Sequence, residues 1–223
     1  RARVRARHGM KPLSFFTALF VCLALLLASL YTVAIDPRTY ARQQARLNVA
    51  ERSGFSQEAL LALDEAVARY MRGTGPLDDA VFSPREIAHM RDVRALMALC
   101  ERLLALLAAL AALGLALVFG RLRLKGFRVL LRGGRWALLA LAACVAILAA
   151  WAFIDFTGLF TAFHQLLFTN DLWLLSASST LIRMFPEDFF RAMAAEIALR
   201  FALSLLALVA MGKGMSRYAD TRR

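Results

Sequence analysis

Two histidines are the residues of this chain best suited to proton transfer. His89 lies one helical turn from a carboxylate on either side, Glu86 at i−3 and Asp92 at i+3, so either acid is able to fix the tautomer of the ring. His164 lies in an aromatic segment much later in the chain. This pattern indicates general acid/base chemistry as one hypothesis, beside the simpler one of two ordinary interfacial residues. The third histidine, His8, belongs to a basic N-terminal segment and predicts no chemistry.

A second group of ionisable residues lies within or beside apolar stretches. Glu196 and Arg200 fall inside the last of these stretches, Glu101 and Arg102 lie at the start of the second, and Asp155 directly follows the third. Charges inside a bilayer are costly and tend to face a bundle interior or water, so this group predicts a polar cavity towards the outer leaflet. The alternative for Glu196 and Arg200 is an i, i+4 ion pair that stabilises one face of a helix.

Three classes of protein stay open on these residues alone. An enzyme acting on lipid-linked groups would use both histidines as acid and base, a haem protein would use them as axial ligands, and an accessory membrane subunit would use neither. Haem is disfavoured because both histidines are expected near the interface rather than inside a span. The histidines, cysteines and acids show no recognised metal-ligand spacing, and no GxSxG elbow surrounds the candidate nucleophiles Ser176, Ser178 and Ser179.

The elements that must carry these residues are membrane helices. Of the 223 residues, 60% are hydrophobic, more than a soluble domain of this size usually contains. Four apolar stretches reach the roughly 20 residues that a transmembrane helix requires: 13–35, 97–119, 136–154 and 190–211. The first is about a full span long and no small-residue cleavage site follows it, so we expect it to stay as a membrane helix. The sequence therefore predicts one all-α integral membrane domain, 1–223, with four transmembrane helices.

The distribution of charge predicts the orientation of these helices. Fifteen Lys and Arg residues and a single acid lie before the first stretch, between the second and third, and after the fourth. Residues 36–94 hold nine basic and nine acidic residues, and residues 157–189 hold one basic and three acidic. The positive-inside rule then places both termini in the cytoplasm and the segments 36–96 and 155–189 outside. Since the net charge of +12 is explained by residues that flank the spans, we expect no nucleic-acid partner.

The first outer segment predicts an extracytoplasmic helical lid between spans one and two. Ser56 precedes apolar residues at helical spacing and Gly73 follows them, which indicates a short amphipathic helix capped by Ser56. We expect its charged residues on a solvated face: Glu58, Asp64, Glu65, Arg69 and Arg72. Further on, Ser83 and Glu86 have the spacing of a capping box, so another helix should begin there and lead towards span two.

The second outer segment is too apolar for an ordinary exposed loop, because aromatic and leucine side chains recur throughout it. We expect it to lie in the membrane interface or to re-enter the bundle. Irregular backbone at that depth persists only where protein or a hydrated cavity satisfies it, so the segment predicts a polar pocket covered by aromatic rings.

Three motifs in these outer segments resemble the bacterial lipoprotein intramolecular transacylase family. The motifs are Glu86-x-x-His89-Met90-x-Asp92-Val93, Phe163-His164-x-x-x-Phe168-x-Asn170-Asp171-x-Trp173 and Leu181-Ile182-x-Met184-Phe185-Pro186-Glu187-x-Phe189-Phe190. The order of four spans, the large first outer segment and the histidine in each outer segment are similar to that family too.

The resemblance implies a specific reaction. The sn-2 acyl chain of a diacylglyceryl-modified N-terminal cysteine would move to the α-amino group of the same cysteine, which gives a lyso-form lipoprotein. His164 would act as the general base on the ammonium and His89 would protonate the leaving glyceryl oxygen or orient the base, or the two roles would be exchanged. We expect substrate-binding or supporting roles, from these motifs and from the charged last span, for Glu86, Asp92, Asn170, Asp171, Trp173, Glu187, Glu196 and Arg200.

The resemblance also implies partners and a location. We expect the diacylglyceryl-modified lipoprotein N-terminus and phospholipid as partners, and no cofactor or metal. The protein would be a multi-pass monomer of the bacterial cytoplasmic membrane, with its active site on the extracytoplasmic side.

Overall fold

The computed structural model describes residues 2–221, with side chains from Pro12 onwards, and every regular element in that part of the chain is helical. Nine α-helices occur there, together with one 3₁₀ turn at Arg123–Lys125. Their bounds are α1 Ala2–Ala34, α2 Pro37–Arg46, α3 Val49–Ser53, α4 Gln57–Met71, α5 Pro84–Leu122, α6 Gly126–Ile154, α7 Phe156–Leu167, α8 Thr180–Met184 and α9 Glu187–Thr221. The predicted all-α class is therefore confirmed for the described residues.

Three helical segments among the described residues are long and apolar enough to cross a membrane: Pro12–Ala34, Pro84–Ile154 and Glu187–Thr221. The middle segment has 71 residues, because it runs through α5, the 3₁₀ turn and α6. At about 1.5 Å per residue this is far more than one bilayer thickness. Many large apolar side chains on α5, α6 and α9 are exposed, as lipid-facing helices require.

Close backbone approaches show that the chain reverses between α5 and α6. A Cβ atom on Gly114 of α5 would collide with Thr17 of α1, and one on Gly133 of α6 would collide with Ser14, the residue one turn earlier. Two residues 19 positions apart in the chain thus meet the same turn of α1, which a straight helix cannot do. Glycine is required at both positions because a larger residue would force the helices apart.

The membrane helices form one compact unit, made of residues 2–29, Arg102–Leu148 and residues 198–221. Within it, α1 contacts α5 and α6 through the glycines just described. Helix α6 contacts α9, where the Arg128 guanidinium donates to the Asp220 carboxylate and Leu131 packs on Gly212.

The second compact unit comprises Leu30–Glu101 and Ala149–Ile197, and it holds most of the predicted site residues. Its core draws side chains from the end of α1, from α2 to α5, and from α8 and α9. The largest fully buried side chains at its centre include Phe82, Leu60 and Met184.

The local helix signals in this unit are confirmed. Ser56 caps α4, because its hydroxyl oxygen accepts a hydrogen bond from the Ala59 amide at 3.1 Å. The capping box also forms: the Glu86 carboxylate accepts from the Ser83 amide at 2.8 Å, and the Ser83 hydroxyl oxygen accepts from the Glu86 amide at 3.3 Å.

One prediction for α4 is wrong. Asp64 is not on a solvated face but is fully buried, with 0% of its surface exposed. Its position one turn after Leu60 places it on the buried side of the helix, where a polar partner from α2 replaces water.

Candidate functional site

His89 is held in the second turn of α5. The capping box and Pro84 fix the residue at which this helix begins, and therefore also fix the position of His89 on the helix. Only 8% of the residue is exposed. Its buried Nδ1 atom has no hydrogen-bond partner among the described residues.

His164 is held in the last turn of α7, a helix capped by the Asp155 carboxylate on the Gly158 amide at 2.8 Å. The residue is 7% exposed, and its Nδ1 lies 2.7 Å from the carbonyl oxygen of Phe160. Since a carbonyl oxygen only accepts, Nδ1 carries the proton and donates it to this bond. In the neutral ring the lone pair is therefore on Nε2, which makes Nε2 the basic atom.

The two imidazoles, from α5 and α7, lie side by side. Their ring centroids are 6.1 Å apart, with 35° between the ring planes. Phe168 contacts both rings, at 5.3 Å from His89 and 5.6 Å from His164. Phe160 and Trp173 cover His164 further, with centroids at 4.1 Å and 4.9 Å. The predicted aromatic cover is thus present, and it surrounds the histidine pair.

This enclosure sets the protonation of both rings. Neither ring lies in one of the four apolar stretches. His89 precedes the stretch 97–119 on α5, and His164 lies on α7, between the stretches 136–154 and 190–211. Burial lowers the pKa of His89 to about 4, assisted by positive charge on His164 and opposed by the Asp92 carboxylate. Burial also lowers the pKa of His164, opposed by its bond to the Phe160 carbonyl. Both rings are consequently neutral at physiological pH, the state in which an imidazole acts as a base.

The carboxylates next to His89 are used differently from our expectation that one of them fixes its tautomer. Glu86 is buried, and its carboxylate accepts from Ser83 and, at 2.8 Å, from the Leu181 amide at the start of α8. The Asp92 carboxylate accepts from Nδ2 of Asn170 at 2.9 Å. The structure shows neither acid bonded to His89, because both bind the segment that follows α7.

Asn170, Asp171 and Trp173 lie together on the loop after α7. Besides its bond to Asp92, Asn170 accepts from the Leu172 amide through Oδ1 at 3.0 Å, which closes a local turn. The backbone carbonyl of Asp171 accepts from the guanidinium of Arg85. Trp173 is the residue of this group whose side chain contacts a histidine.

The acids of α9 join this helix to neighbouring elements. Glu187 accepts from the Thr157 hydroxyl of α7 at 3.0 Å and pairs with Arg191 at 3.4 Å. Glu196 forms an ion pair with Arg42 of α2, with 3.0 Å between Nη2 and Oε1. Arg42 was missed by sequence reasoning because 154 positions separate it from its partner. Arg200 belongs to the other compact unit, so its role stays a prediction.

The serine-rich loop has a structural use. The Ser179 hydroxyl oxygen accepts from the Ile182 amide at 3.4 Å and caps α8, and the hydroxyls of Ser176 and Ser178 are 2.8 Å apart. Among the described residues no group of three or more His, Cys, Asp and Glu side chains is arranged to hold a metal ion.

A buried polar cluster was also missed by sequence reasoning. The Gln44 amide donates to the Asp64 carboxylate at 2.9 Å and to the Met184 carbonyl at 3.1 Å, which joins α2, α4 and α8. Burial raises the pKa of Asp64 to about 7, opposed by the hydrogen bond from Gln44. A glutamine and an aspartate on charged amphipathic helices give no sequence signal that they are buried.

The fold and the histidine pair define an all-helical membrane protein with two enclosed imidazoles. The family model of the lipoprotein intramolecular transacylase Lit matches residues 15–190, most of the chain. The chain therefore belongs to the lipoprotein intramolecular transacylase family, and it is a membrane acyltransferase that modifies lipoproteins.

Solved structures agree in fold. The membrane-integral lipoprotein intramolecular transacylase Lit of Bacillus cereus is similar with a TM-score of 0.79 at 18% identity, over 96% of this chain and 97% of that chain. A structure of the B. cereus protein with one histidine replaced by alanine is similar with a TM-score of 0.77 at 16% identity, over 99% and 100% of the two chains. No protein in the curated set matches this chain significantly.

Proposed function

We propose that this transacylase moves the sn-2 acyl chain of a diacylglyceryl-cysteine lipoprotein to the α-amino group of the same cysteine. The product is an N-acyl, S-monoacylglyceryl lipoprotein, the lyso form. The observation that carries this proposal is the enclosed pair of neutral imidazoles, 6.1 Å apart, on two separate helices.

From the neutral α-amine the reaction moves one proton and needs no oxidant or reductant; an α-ammonium first releases its extra proton to water. The amine nitrogen attacks the ester carbonyl carbon, the new C–N bond forms, and the bond from that carbon to the sn-2 glyceryl oxygen breaks. The proton lost by nitrogen balances the proton gained by the glyceryl oxygen. Because both reacting groups belong to one substrate molecule, proximity supplies much of the rate and a covalent enzyme intermediate is not required.

His164 is the general base of this proposal. Its Nδ1 donates to the Phe160 carbonyl, so its Nε2 lone pair takes the proton that the neutral α-amine loses as it attacks the ester. The low polarity of the aromatic enclosure keeps the ring neutral before the reaction.

His89 is the partner that supplies a proton to the leaving glyceryl oxygen. Its ring centroid lies 6.1 Å from that of His164. Its Nδ1 has no hydrogen-bond partner among the described residues, so a polar atom of the substrate would satisfy it. A neutral imidazole donates through one nitrogen and accepts through the other, so His89 returns to its starting state when the proton from His164 is passed on.

The remaining predicted site residues act as supports in this proposal. Glu86, Asp92, Asn170 and Asp171 connect α5 to the segment after α7, and their contacts fix the distance between the imidazoles. Further support would come from Trp173, Glu187, Glu196 and Arg200.

We further propose four spans, about 13–35, 97–119, 136–154 and 190–211, with both termini cytoplasmic and the segments 36–96 and 155–189 outside. The reversal between α5 and α6 supports two crossings within 84–154. The fifteen basic residues at one end of the predicted spans support the orientation. The site then faces the outer leaflet of the bacterial cytoplasmic membrane, in a monomer that contacts phospholipid.

The test is the chemical form of lipoprotein N-termini in cells that depend on this protein. We expect His164→Ala and His89→Ala each to abolish the lyso form while the protein still accumulates in the membrane, and His8→Ala to change nothing. Mass spectrometry of lipoprotein N-termini measures the outcome. Lyso-form product at the parental level from both variants would overturn the acid/base proposal.

A further inference from the structure

The loop between α7 and α8, residues 168–179, holds Trp173 against His164 with 4.9 Å between ring centroids and 30° between their planes. Apart from Phe168, the residues of this loop are exposed or only half-buried. Burial alone therefore does not fix the loop, and its polar contacts decide where Trp173 lies.

Two charge-assisted contacts from α5 hold neighbouring residues of this loop. The Arg85 guanidinium donates to the backbone carbonyl of Asp171, and the Asp92 carboxylate accepts from the Asn170 side chain at 2.9 Å. These contacts lie two and three residues before Trp173. Without them, the loop would no longer hold the Trp173 ring in place.

The same face of α5 carries both contacts and His89. Arg85, His89 and Asp92 are spaced by four and three residues, which places them along one side of a helix over about 10 Å. The element that presents His89 thus also fixes the loop that covers His164.

We propose that Arg85 is a positioning residue for this reaction: its contact with the Asp171 carbonyl keeps Trp173 on the His164 ring and keeps water off that ring. Arg85 is itself exposed, and its bond is to backbone, so it acts through the loop rather than on substrate. Its catalytic meaning rests on the proposed function, whereas its effect on the packing of Trp173 does not.

The test follows the titration of His164 through the fluorescence of Trp173. Trp136 and Trp151 are replaced by phenylalanine, which leaves Trp173 as the single tryptophan of the three. A protonated imidazole quenches an indole that it contacts, so the intensity falls as His164 gains its proton. We expect Arg85→Ala to raise the midpoint by about half to one pH unit, because a hydrated imidazole returns towards its ordinary pKa. The same variant should lower kcat about tenfold.

Three further variants make the result decisive. His164→Gln should remove the titration, and Arg91→Ala should leave the midpoint unchanged, since Arg91 is exposed about 120° around the same helix. Arg85→Lys keeps one donor and should give an intermediate midpoint, which also carries the test if the alanine variant does not accumulate. Equal midpoints for the parent, Arg85→Lys and Arg85→Ala would overturn the proposal. Full transacylase activity in His164→Gln would instead refute the proposed function, and the Trp173 titration would still decide the role of Arg85.

Discussion

Replacing Asp64 by asparagine should stabilise the protein above neutral pH. The carboxylate oxygen Oδ2 of Asp64 and the amide oxygen Oε1 of Gln44 are both buried, and neither has a hydrogen-bond partner among the described residues. A buried acceptor without a donor is unfavourable, and this cluster contains two of them. The amide of Asp64→Asn keeps an oxygen for the Gln44 donor and supplies an N–H where Oδ2 was, so it resembles the protonated acid.

The magnitude follows from the pKa of Asp64, which burial raises from 3.8 to about 7. Because the folded state binds this proton more tightly than the unfolded chain, the stabilisation is complete below about pH 4 and is lost as the pH rises towards 7. A shift of about three pH units corresponds to about 4 kcal/mol, lost at about 1.4 kcal/mol per pH unit. The asparagine variant has no such loss, so the two proteins should differ by about 4 kcal/mol at pH 8 and little at pH 4.

Thermal unfolding of the purified protein between pH 4 and pH 8 measures this difference. For a chain of this length the gain corresponds to roughly 10 °C in the unfolding midpoint at pH 8. Asp79→Asn, at an exposed position between α4 and α5, is the matched control, and its unfolding midpoint should follow that of the parent at every pH. If the Asp64→Asn and parent curves run parallel across this range, Asp64 does not bind a proton in the folded state and the reasoning fails.

Three other substitutions or conditions have definite expected outcomes. Because burial lowers the pKa of His164 in the free protein, the acidic inflection of kcat/KM should lie below about pH 6.5, and an inflection above that value in a pH profile would contradict its role as base. Glu86→Ala leaves three hydrogen-bond donors without their acceptor and should cost roughly 3 kcal/mol in thermal unfolding, so an unchanged midpoint would refute the structural role of that carboxylate. Gly133→Ala places a Cβ against Ser14 and should reduce the folded yield in membranes. A Cβ at Gly120 meets no atom within 4 Å, so Gly120→Ala should not reduce it; equal yields would refute the close packing of α1 and α6.

The helix starts and apolar stretches could be predicted from the sequence because neighbouring residues specify them. Ser56 and the Ser83–Glu86 pair begin their helices as expected, because a cap needs only the residues of its own first turn. The apolar stretches are likewise local, since length and composition alone decide whether a helix suits a bilayer.

The contacts of the candidate site could not be predicted from the sequence. The sequence indicates two histidines on one side of a membrane, but their 6.1 Å separation depends on how α5 and α7 pack. The expected carboxylate partner of His89 failed for the same reason: Asp92 binds Asn170, 78 positions away, in preference to its helical neighbour. Asp64 was misplaced because its burial depends on Gln44 of a different helix.

The most direct test of the account is a double-mutant cycle on the rate of acyl transfer by purified protein. A synthetic diacylglyceryl lipopeptide is the substrate, and mass spectrometry measures the N-acylated product from the parent, His164→Gln, His89→Gln and the double variant. If the two imidazoles act on one proton transfer, each single variant should lose at least about 100-fold in rate and the double variant should be no slower than the slower single one. Losses that multiply in the double variant, or a single variant that keeps the parental rate, would contradict a catalytic pair.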